Sequence, residues 1–447
     1  MLANRKIRYS TRVSTDSALA ASINFLEHLL LSYPRRDFRI QFWDGTSWGG
    51  TNCRYTLVLK HPGALRRMFT SPNELTLGEA YIFGDFDIEG DIEASFDLAD
   101  FLLSQERAMT QRLYLSIMLG KLPTTGRPQL VPRPLHLRGG VHTVCRDRDA
   151  IRYHYDLPPE FYSLFLDSRM LYSCAYFRTA EDGLDQAQVQ KLDYLCRKLR
   201  LRPNERLLDI GCGWGALVVH AAARYGVRAL GITLSEQQAQ VARKRIRDSG
   251  LEDRCRVEVL DYRDLRTDEH FDKIVSVGMF EHVGEEHLAE YFSRIRQLLQ
   301  RGGAFLNSGI AASVSYHRQG PSFMDRYVFP DGEMVPINAT LKAAEGNSFE
   351  VRDVESLREH YALTLHHWVR RLEAHAEEVR RFTDDITYRT WRLYMAGSVH
   401  SFRAGSMNLY QILLAKPFIG KSNMPLTRED WYGTQRRLQI CRPKGEN

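Results

Sequence analysis

The chain has 447 residues, about three times the roughly 150 of a usual domain, so two domains or one core with a large attachment is expected. Hydrophobic residues at 43% and charged residues at 26% give the balance of a soluble globular protein, which excludes collagen-like, disordered and polytopic membrane classes. The net charge of +6 is modest and favours anionic partners, nucleic acid or acidic lipid headgroups, without choosing between them.

The N-terminus carries Arg5, Lys6, Arg8 and Arg12 without an apolar signal core, so secretion is not expected. Ser17 to Leu31 reads as a helix. Its apolar part, Phe25 to Leu31, is interrupted by Glu27 and His28 and falls short of the roughly 18 residues that cross a bilayer. Phe38 to Trp43 and Cys53 to Leu59 read as strands around the turn-rich Asp44-Gly45-Thr46-Ser47, giving a small α/β or α+β domain over 1–122. Over 123–150, Pro123, Gly126, Pro128, Pro132, Pro134, Gly139 and Gly140 accumulate among Arg127, Arg133, Arg138, Arg146 and Arg148, as in a basic linker.

From Ala187 to about Phe305, strand and helix patterns alternate as a doubly wound, Rossmann-like parallel sheet requires. Leu207–Ile210, Arg228–Ile232, Arg256–Leu260 and Lys273–Val277 are the strand candidates, with helices over Gln237–Arg247 and Glu286–Leu299. Tyr361, Leu365, Trp368 and Leu372, then Tyr388, Trp391 and Met395, recur at helical spacing and read as added helices packed on the core. A catalytic domain over 151–417 and a tail over 418–447 complete the division. Cysteines at 53, 145, 174, 196, 212, 255 and 441 are odd in number and never form Cys-x-x-Cys. A reducing compartment with neither a metal site nor a disulfide framework is the natural reading.

The sharpest local signal is Asp209-Ile210-Gly211-Cys212-Gly213-Trp214-Gly215, between an apolar strand and the apolar helix Ala216–Ala223. Glycines there let the backbone approach a cofactor at the carboxyl edge of the sheet. Gly211, Gly213 and Ala216 also satisfy the dinucleotide pattern G-x-G-x-x-G/A. A dinucleotide site wants a carboxylate at the end of the second strand, and Gly231-Ile232-Thr233-Leu234-Ser235 supplies none. Asp209 would repel a pyrophosphate but attract the sulfonium or amine of S-adenosylmethionine, so electrostatics favours that cofactor. Asp261 and Tyr262 close the third strand, where a carboxylate suits an adenine amino group as well as it suits a surface turn.

Joined to Gly231–Gln238, this loop resembles the cyclopropane-fatty-acid synthase family of S-adenosylmethionine-dependent methyltransferases. The resemblance extends to Tyr153-His154-Tyr155-Asp156, Tyr172-Ser173-Cys174-Ala175-Tyr176-Phe177, Ser276–Gly284 with Phe280-Glu281-His282-Val283-Gly284, Phe323–Gly332 and His360–Leu365. It covers roughly Ile151 to Pro417, and Leu77-Gly78-Glu79-Ala80-Tyr81 extends it weakly into the N-terminal domain. It implies transfer of a methyl group to a cis double bond of a phospholipid acyl chain, then proton loss to bound bicarbonate and ring closure. The implied bicarbonate ligands are Cys174 through its backbone, Glu281 and Tyr361. The implied cofactor contacts are Tyr172, Ser173, Gly211, Gly213, Thr233, Leu234, Gln238, Asp261 and Tyr262. The resemblance further implies lipid binding and homodimer formation by the N-terminal domain, at the inner face of the membrane.

An alkene is a poor nucleophile, so the site must align it with the methyl group and stabilise a carbocation without capturing it. The faces of Tyr172, Tyr176, Phe177 and Tyr361 suit that cation, and plain core packing explains each of them equally well. Cys174 has no activating neighbour in sequence and is not read as a nucleophile. Where the family has a histidine, Gly303–Gly309 places Asn307, whose amide donates a hydrogen bond but exchanges no proton near neutrality. Methyl transfer is therefore the firmer expectation, with a methyl-branched or methylene product, an amine substrate or a non-catalytic lipid-binding protein as rivals. No base-binding Asn/Asp-Pro-Pro-Tyr motif supports a nucleic-acid substrate. The basic linker, the apolar Phe323–Phe329 and the N-terminal domain are the expected lipid contacts.

Overall fold

The computed structural model describes residues 17–35, 37–104, 108–124, 143, 146, 157–266, 268–313 and 322–432. Two compact units emerge, each gathered from separate stretches. The first takes Met1–Ser168, Ala312–Glu333 and Arg358–Asn408, the second Arg169–Ala311, Met334–Leu357 and Leu409–Asn447. The expected catalytic stretch 151–417 is thus not one unit.

The first unit holds a four-stranded sheet of order β2-β1-β3-β4, formed by β1 (Phe38–Gln41), β2 (Ser47–Gly49), β3 (Tyr55–Leu59) and β4 (Phe86–Gly90). The turn before β2 is tied by Asp44, whose carboxylate accepts from both the backbone N–H and the hydroxyl of Thr46 at 2.9 Å. That turn leads straight into β2, a strand too short to show an alternation in sequence.

The helix Asp385–Ala404 belongs to this unit because of two buried arginines. Arg389 donates to the carbonyls of Tyr81 (2.8 Å) and Phe86 (2.7 Å), and Arg392 to the Ile88 carbonyl (3.0 Å) and the Tyr81 hydroxyl (2.9 Å). A buried guanidinium without such partners costs several kcal/mol, on the order of 3–5 when one partner is removed, so these bonds fix where the helix packs. The predicted stripes Tyr361/Leu365/Trp368/Leu372 and Tyr388/Trp391/Met395 are indeed buried.

Phe323–Phe329 is not the exposed lipid contact expected of it. Phe323 and Val328 are buried, and a Cβ on Gly78 would stand 2.5 Å from the Phe323 ring. Most of the basic linker and the Tyr153–Asp156 motif lie outside the described residues. One linker arginine, Arg146, is spent on a two-point pair with Asp331 (2.5 and 2.9 Å).

The second unit is built on a seven-stranded sheet of order β10-β11-β9-β8-β5-β6-β7. These strands are β5 (Arg206–Ile210), β6 (Arg228–Thr233), β7 (Cys255–Val259), β8 (Phe271–Val277), β9 (Leu299–Ala312), β10 (Glu350–Ser356) and β11 (Met407–Ala415). β5 pairs in parallel with β6 on one side and β8 on the other, β6 with β7 and β8 with β9, while β10 and β11 run antiparallel. Both faces of the sheet are covered. Leu207, Val218, Ala221, Val275 and Leu306 pack on one, and Leu208, Ile274, Tyr291, Phe292 and Phe305 on the other. That is why β5 and β8 read as continuous apolar runs. The doubly wound fold class expected from sequence is the one observed.

The stretch expected as a tail is structural as far as Tyr432. Trp431 is buried, with Arg200, Lys198 and Arg428 placed 5.0, 5.4 and 5.6 Å from its ring. Among the described residues no helix is long and apolar enough to cross a membrane.

Candidate active site

The chain leaves β5 for β6 on one side and returns after β7 to β8 on the other, which opens a crevice at the carboxyl end of β5. The glycine loop lies there. The N–H groups of Gly211 and Cys212 both donate to the Ile232 carbonyl, at 2.9 and 3.0 Å, pinning the loop to β6. Gly213 has φ +53°, and a Cβ built on it would meet nothing within 4 Å. The loop is therefore open on that side, as a cradle for a ligand must be.

The sequence reading missed what Gly231 does. A Cβ there would stand 2.8 Å from Cys212 Sγ and 2.9 Å from Val218, so a bare strand position is what lets β6 pass beneath the loop. A glycine inside a strand was the available signal.

Beyond β6, the Thr233 hydroxyl donates to the Gln238 side-chain oxygen (2.7 Å) and accepts from the Ser235 N–H (3.2 Å). Ser235 caps the following helix through the Gln238 N–H. β6 ends at Thr233, so a hydroxyl and not a carboxylate closes this strand. Leu234, between them, is half-buried. Asp261 follows β7 and is buried, but its carboxylate is clamped by Arg263, which donates from Nε (3.0 Å), Nη2 (2.7 Å) and its own backbone N–H (2.9 Å). The neighbouring Tyr262 ring meets Tyr291 edge-on at 5.5 Å.

Two carboxyls at the sheet edge are electrostatically unusual. Asp209, near the end of β5, is pushed up to about 7 by burial, and the Lys191 charge pulls it back only in part. Glu281 is likewise pushed up to about 7 by burial, against the pull of the Ile310 N–H that one of its oxygens accepts at 2.8 Å. Its other oxygen, Oε2, is buried without a hydrogen-bond partner. Met279, two residues before it, lies against Gly211, where a Cβ would sit 3.0 Å from the methionine Cβ. Gly309 gives room to Phe280 in the same way, at 3.0 Å. Glu281 is thus held between the ends of β8 and β9 and next to the loop.

Asn307 is buried on β9, opposite Ser276 on β8, and its side-chain oxygen accepts from the Tyr291 hydroxyl at 3.0 Å. The segment Tyr172-Ser173-Cys174 is held by the helix Leu184–Lys198. Gln188 donates to the carbonyls of Leu171 (3.2 Å) and Ser173 (2.9 Å), and Lys191 donates to the Ser173 hydroxyl (2.7 Å). Neither helix residue was singled out in the sequence. The buried Cys174 thiol points at backbone carbonyls, Ala175 at 3.3 Å and Leu357 at 3.9 Å. Tyr361 belongs to the first unit, with its ring 4.7 Å from Phe402 and 6.1 Å from Trp368. The other predicted site residues all belong to the second unit.

Comparison with known proteins agrees with this geometry. Residues 142–412 match the family described as mycolic acid cyclopropane synthetase, and 25–105 match a domain family of unknown function. A "Probable fatty acid methyltransferase" of Pseudomonas putida is 41% identical over 400 residues, covering 88% of this chain and 96% of that protein. Cyclopropane mycolic acid synthase 1 of Mycobacterium tuberculosis is 34% identical over 278 residues, covering 60% and 96%. Among solved structures, the cyclopropane synthase MmaA2 from Mycobacterium tuberculosis superposes with a TM-score of 0.57 at 32% identity, over 60% of this chain and 97% of that one. The mycolic acid cyclopropane synthase CmaA1, complexed with SAH and CTAB, gives 0.57 at 33% identity over the same shares. With the sheet, the glycine loop and the match over residues 142–412 in agreement, the chain belongs to the mycolic acid cyclopropane synthetase family of S-adenosylmethionine-dependent lipid methyltransferases.

Proposed function

We propose that this protein adds a one-carbon bridge to the cis double bond of an unsaturated phospholipid acyl chain, closing a cyclopropane ring. The observation that carries the reading is Glu281, a buried carboxyl with one unpartnered oxygen beside the glycine loop. Half-protonated near neutral pH, that oxygen can donate a hydrogen bond to an oxyanion, which fits the bicarbonate that the resemblance implies. Together with the backbone of Cys174, the carboxyl would hold that ion as the base for the proton lost on ring closure.

The open side of Gly213 fits S-adenosylmethionine, which supplies the methyl group. Tyr172, Ser173, Gly211, Gly213, Thr233, Leu234, Gln238, Asp261 and Tyr262 would hold it, with Asp209 offering negative charge to its amine or sulfonium. What remains for the chain is to orient the olefin and keep nucleophiles away from the cation formed on the lipid. Buried thiols meet the second requirement. Burial pushes Cys212, in the loop itself, well above its ordinary value, so it is neutral.

The acyl chain must be reached from a bilayer surface. In the first unit the helix Met109–Gly120 exposes Met109, Leu113 and Ile117 in a column four residues apart, with Tyr114 beside them. Arg112 is exposed on the same helix, and Lys121, Arg127, Arg133 and Arg138 follow without an intervening carboxylate. An apolar stripe flanked by cations suits peripheral binding to an anionic leaflet, each cation adding about 1 kcal/mol. This helix takes the role expected of Phe323–Phe329. By the same reading the protein works at the inner face of the membrane as a homodimer.

Asn307 favours a second reading. With an amide bound to Tyr291 in place of the family's histidine, the cation on the lipid can instead undergo a hydride shift and lose a methyl proton, leaving a methylene branch. The name of the 41% identical relative, a fatty acid methyltransferase, is compatible with either product. The test is incubation with methyl-labelled S-adenosylmethionine and monounsaturated phosphatidylglycerol vesicles, followed by NMR of the acyl chain. Upfield ring protons support cyclopropanation, olefinic protons with the same gain of CH₂ support the methylene product, and unlabelled lipid overturns both.

A further inference from the structure

Lys191 is almost wholly buried, at 2% exposure, and its chemistry is not used in the reading above. Buried ammonium groups are rare because desolvation costs so much, and those retained have specific partners. Here the ammonium donates to the Ser173 hydroxyl at 2.7 Å and acts electrostatically on Asp209. One helix thereby reaches two separate parts of the cofactor site. Gln188, one turn earlier, is fully buried and holds the backbone of the same segment at Leu171 and Ser173.

We propose that Lys191 is a positioning residue of the cofactor site: it fixes the Ser173 hydroxyl and supplies the counter-charge to Asp209. The inference rests on the reading that Ser173 and Asp209 contact S-adenosylmethionine.

Burial drives the Asp209 carboxyl up to about 7, and Lys191 is the charge that opposes this. Among the described residues, Cys196, on the same helix, and Cys212, in the loop, also interact electrostatically with Asp209. Burial pushes both thiols well above their ordinary value, so they add no charge near neutral pH. Removing the ammonium therefore moves the carboxyl further up and leaves it more protonated at pH 7. A cationic ligand then meets a neutral group, and its binding recovers only at higher pH. A lysine that merely filled space would leave this profile where it was.

The test is calorimetric titration of S-adenosylmethionine into the full-length protein without lipid, from pH 6 to 9. For Lys191→Met the pH midpoint of binding is expected to rise by about one unit, which weakens binding at pH 7 about fivefold through the lost charge, and the lost tether to Ser173 weakens it further. Ser173→Ala is expected to weaken binding severalfold without moving the midpoint, and to add little in the Lys191→Met background, because the two share one hydrogen bond. Lys191→Arg keeps the cation but not the tether, so it restores the midpoint alone and absorbs the Ser173→Ala effect. A wild-type midpoint and affinity in Lys191→Met overturn the proposal. So does weakening that is uniform across pH and fully multiplicative with Ser173→Ala. Should Lys191→Met not fold, an undiminished Ser173→Ala effect in the Lys191→Arg background overturns it equally. Gly213→Val separates this inference from the reading beneath it. If that substitution leaves binding intact, the cofactor reading fails. If it abolishes binding while the Lys191 variants behave as wild type, only the present inference fails.

Discussion

Replacing Glu281 by glutamine should stabilise the protein at alkaline pH while removing its activity. The carboxyl titrates near 4.5 in an ordinary setting and is pushed up to about 7 here by burial. Because the folded value lies above the unfolded one, the group's contribution to stability is complete below about pH 4.5. It declines as pH rises and is lost above about pH 7. At 1.36 kcal/mol per unit, that gap amounts to about 3 kcal/mol of strain carried by the ionised carboxylate at pH 8. Glutamine keeps the shape and an oxygen for the Ile310 N–H but cannot ionise. Glu281→Gln should therefore match the wild type near pH 4.5 and exceed it progressively towards pH 8. At roughly 2 °C per kcal/mol for a long chain, the gain in thermal midpoint at pH 8 is about 6 °C. Differential scanning fluorimetry across this pH range reads the difference directly, and transfer of labelled methyl to vesicles reads activity. A thermal difference that stays flat with pH would refute the reasoning about burial, and undiminished transfer would refute the site.

Gly231→Val places carbon atoms where Cys212 and Val218 already stand, so it should cost about 1–3 kcal/mol and abolish cofactor binding, read by denaturation and calorimetry. Trp431→Ala empties a buried indole site ringed by Lys198, Arg200 and Arg428, and should cost about 3–5 kcal/mol in urea unfolding, a loss a solvated tail would not show. In the first unit, burial would raise the Glu93 carboxyl, but His366 and Arg403, each 2.7 Å away, bring it below its ordinary value. Its stabilising effect is present above about pH 4.5 and fades as acid protonates it. Glu93→Gln should accordingly cost about 2–3 kcal/mol at pH 7 and progressively less in acid, measured by unfolding at both pH values.

What the sequence made legible follows from how strongly each feature is patterned. β5, β6 and β8 were read within one or two residues because buried parallel strands are largely apolar runs bounded by glycine and turn signals, and edge strand β7 was read as closely from its alternation of polar and apolar residues. The glycine loop and Glu281 could be singled out because each follows an apolar strand at the carboxyl edge of the sheet, whereas Asn307, inside β9, was singled out by the resemblance alone. The split of the chain into units was not legible. It is decided by Arg389 and Arg392 reaching carbonyls some three hundred residues earlier, and no local pattern encodes such a partner. Phe323 was misread for a related reason, since an apolar run looks the same whether its partner is lipid or a glycine-surfaced helix such as Glu74–Ile82. Lys191 and Gln188 stayed hidden because polar residues on a helix ordinarily mark its solvated face.

One physical cause runs through the second unit's site. Burial raises Asp209, Glu281, Cys196 and Cys212 together, so near neutral pH the thiols stay protonated, the carboxyls are partly protonated, and less of the nucleophilic anion is present. For chemistry that passes through a cation on a hydrocarbon chain this is the useful direction, because an exposed thiolate or carboxylate would capture the cation before a proton could leave. The same burial costs stability at every ionised group, about 3 kcal/mol for Glu281 alone. The sheet can carry that cost because both of its faces are sealed by large apolar clusters, while Glu281 Oε2 lies just past the end of β8. Rigidity and reactivity are thus separated along the strands: the middle of the sheet is packed to hold its shape, and the carboxyl edge carries Glu281, whose Oε2 is buried without a hydrogen-bond partner.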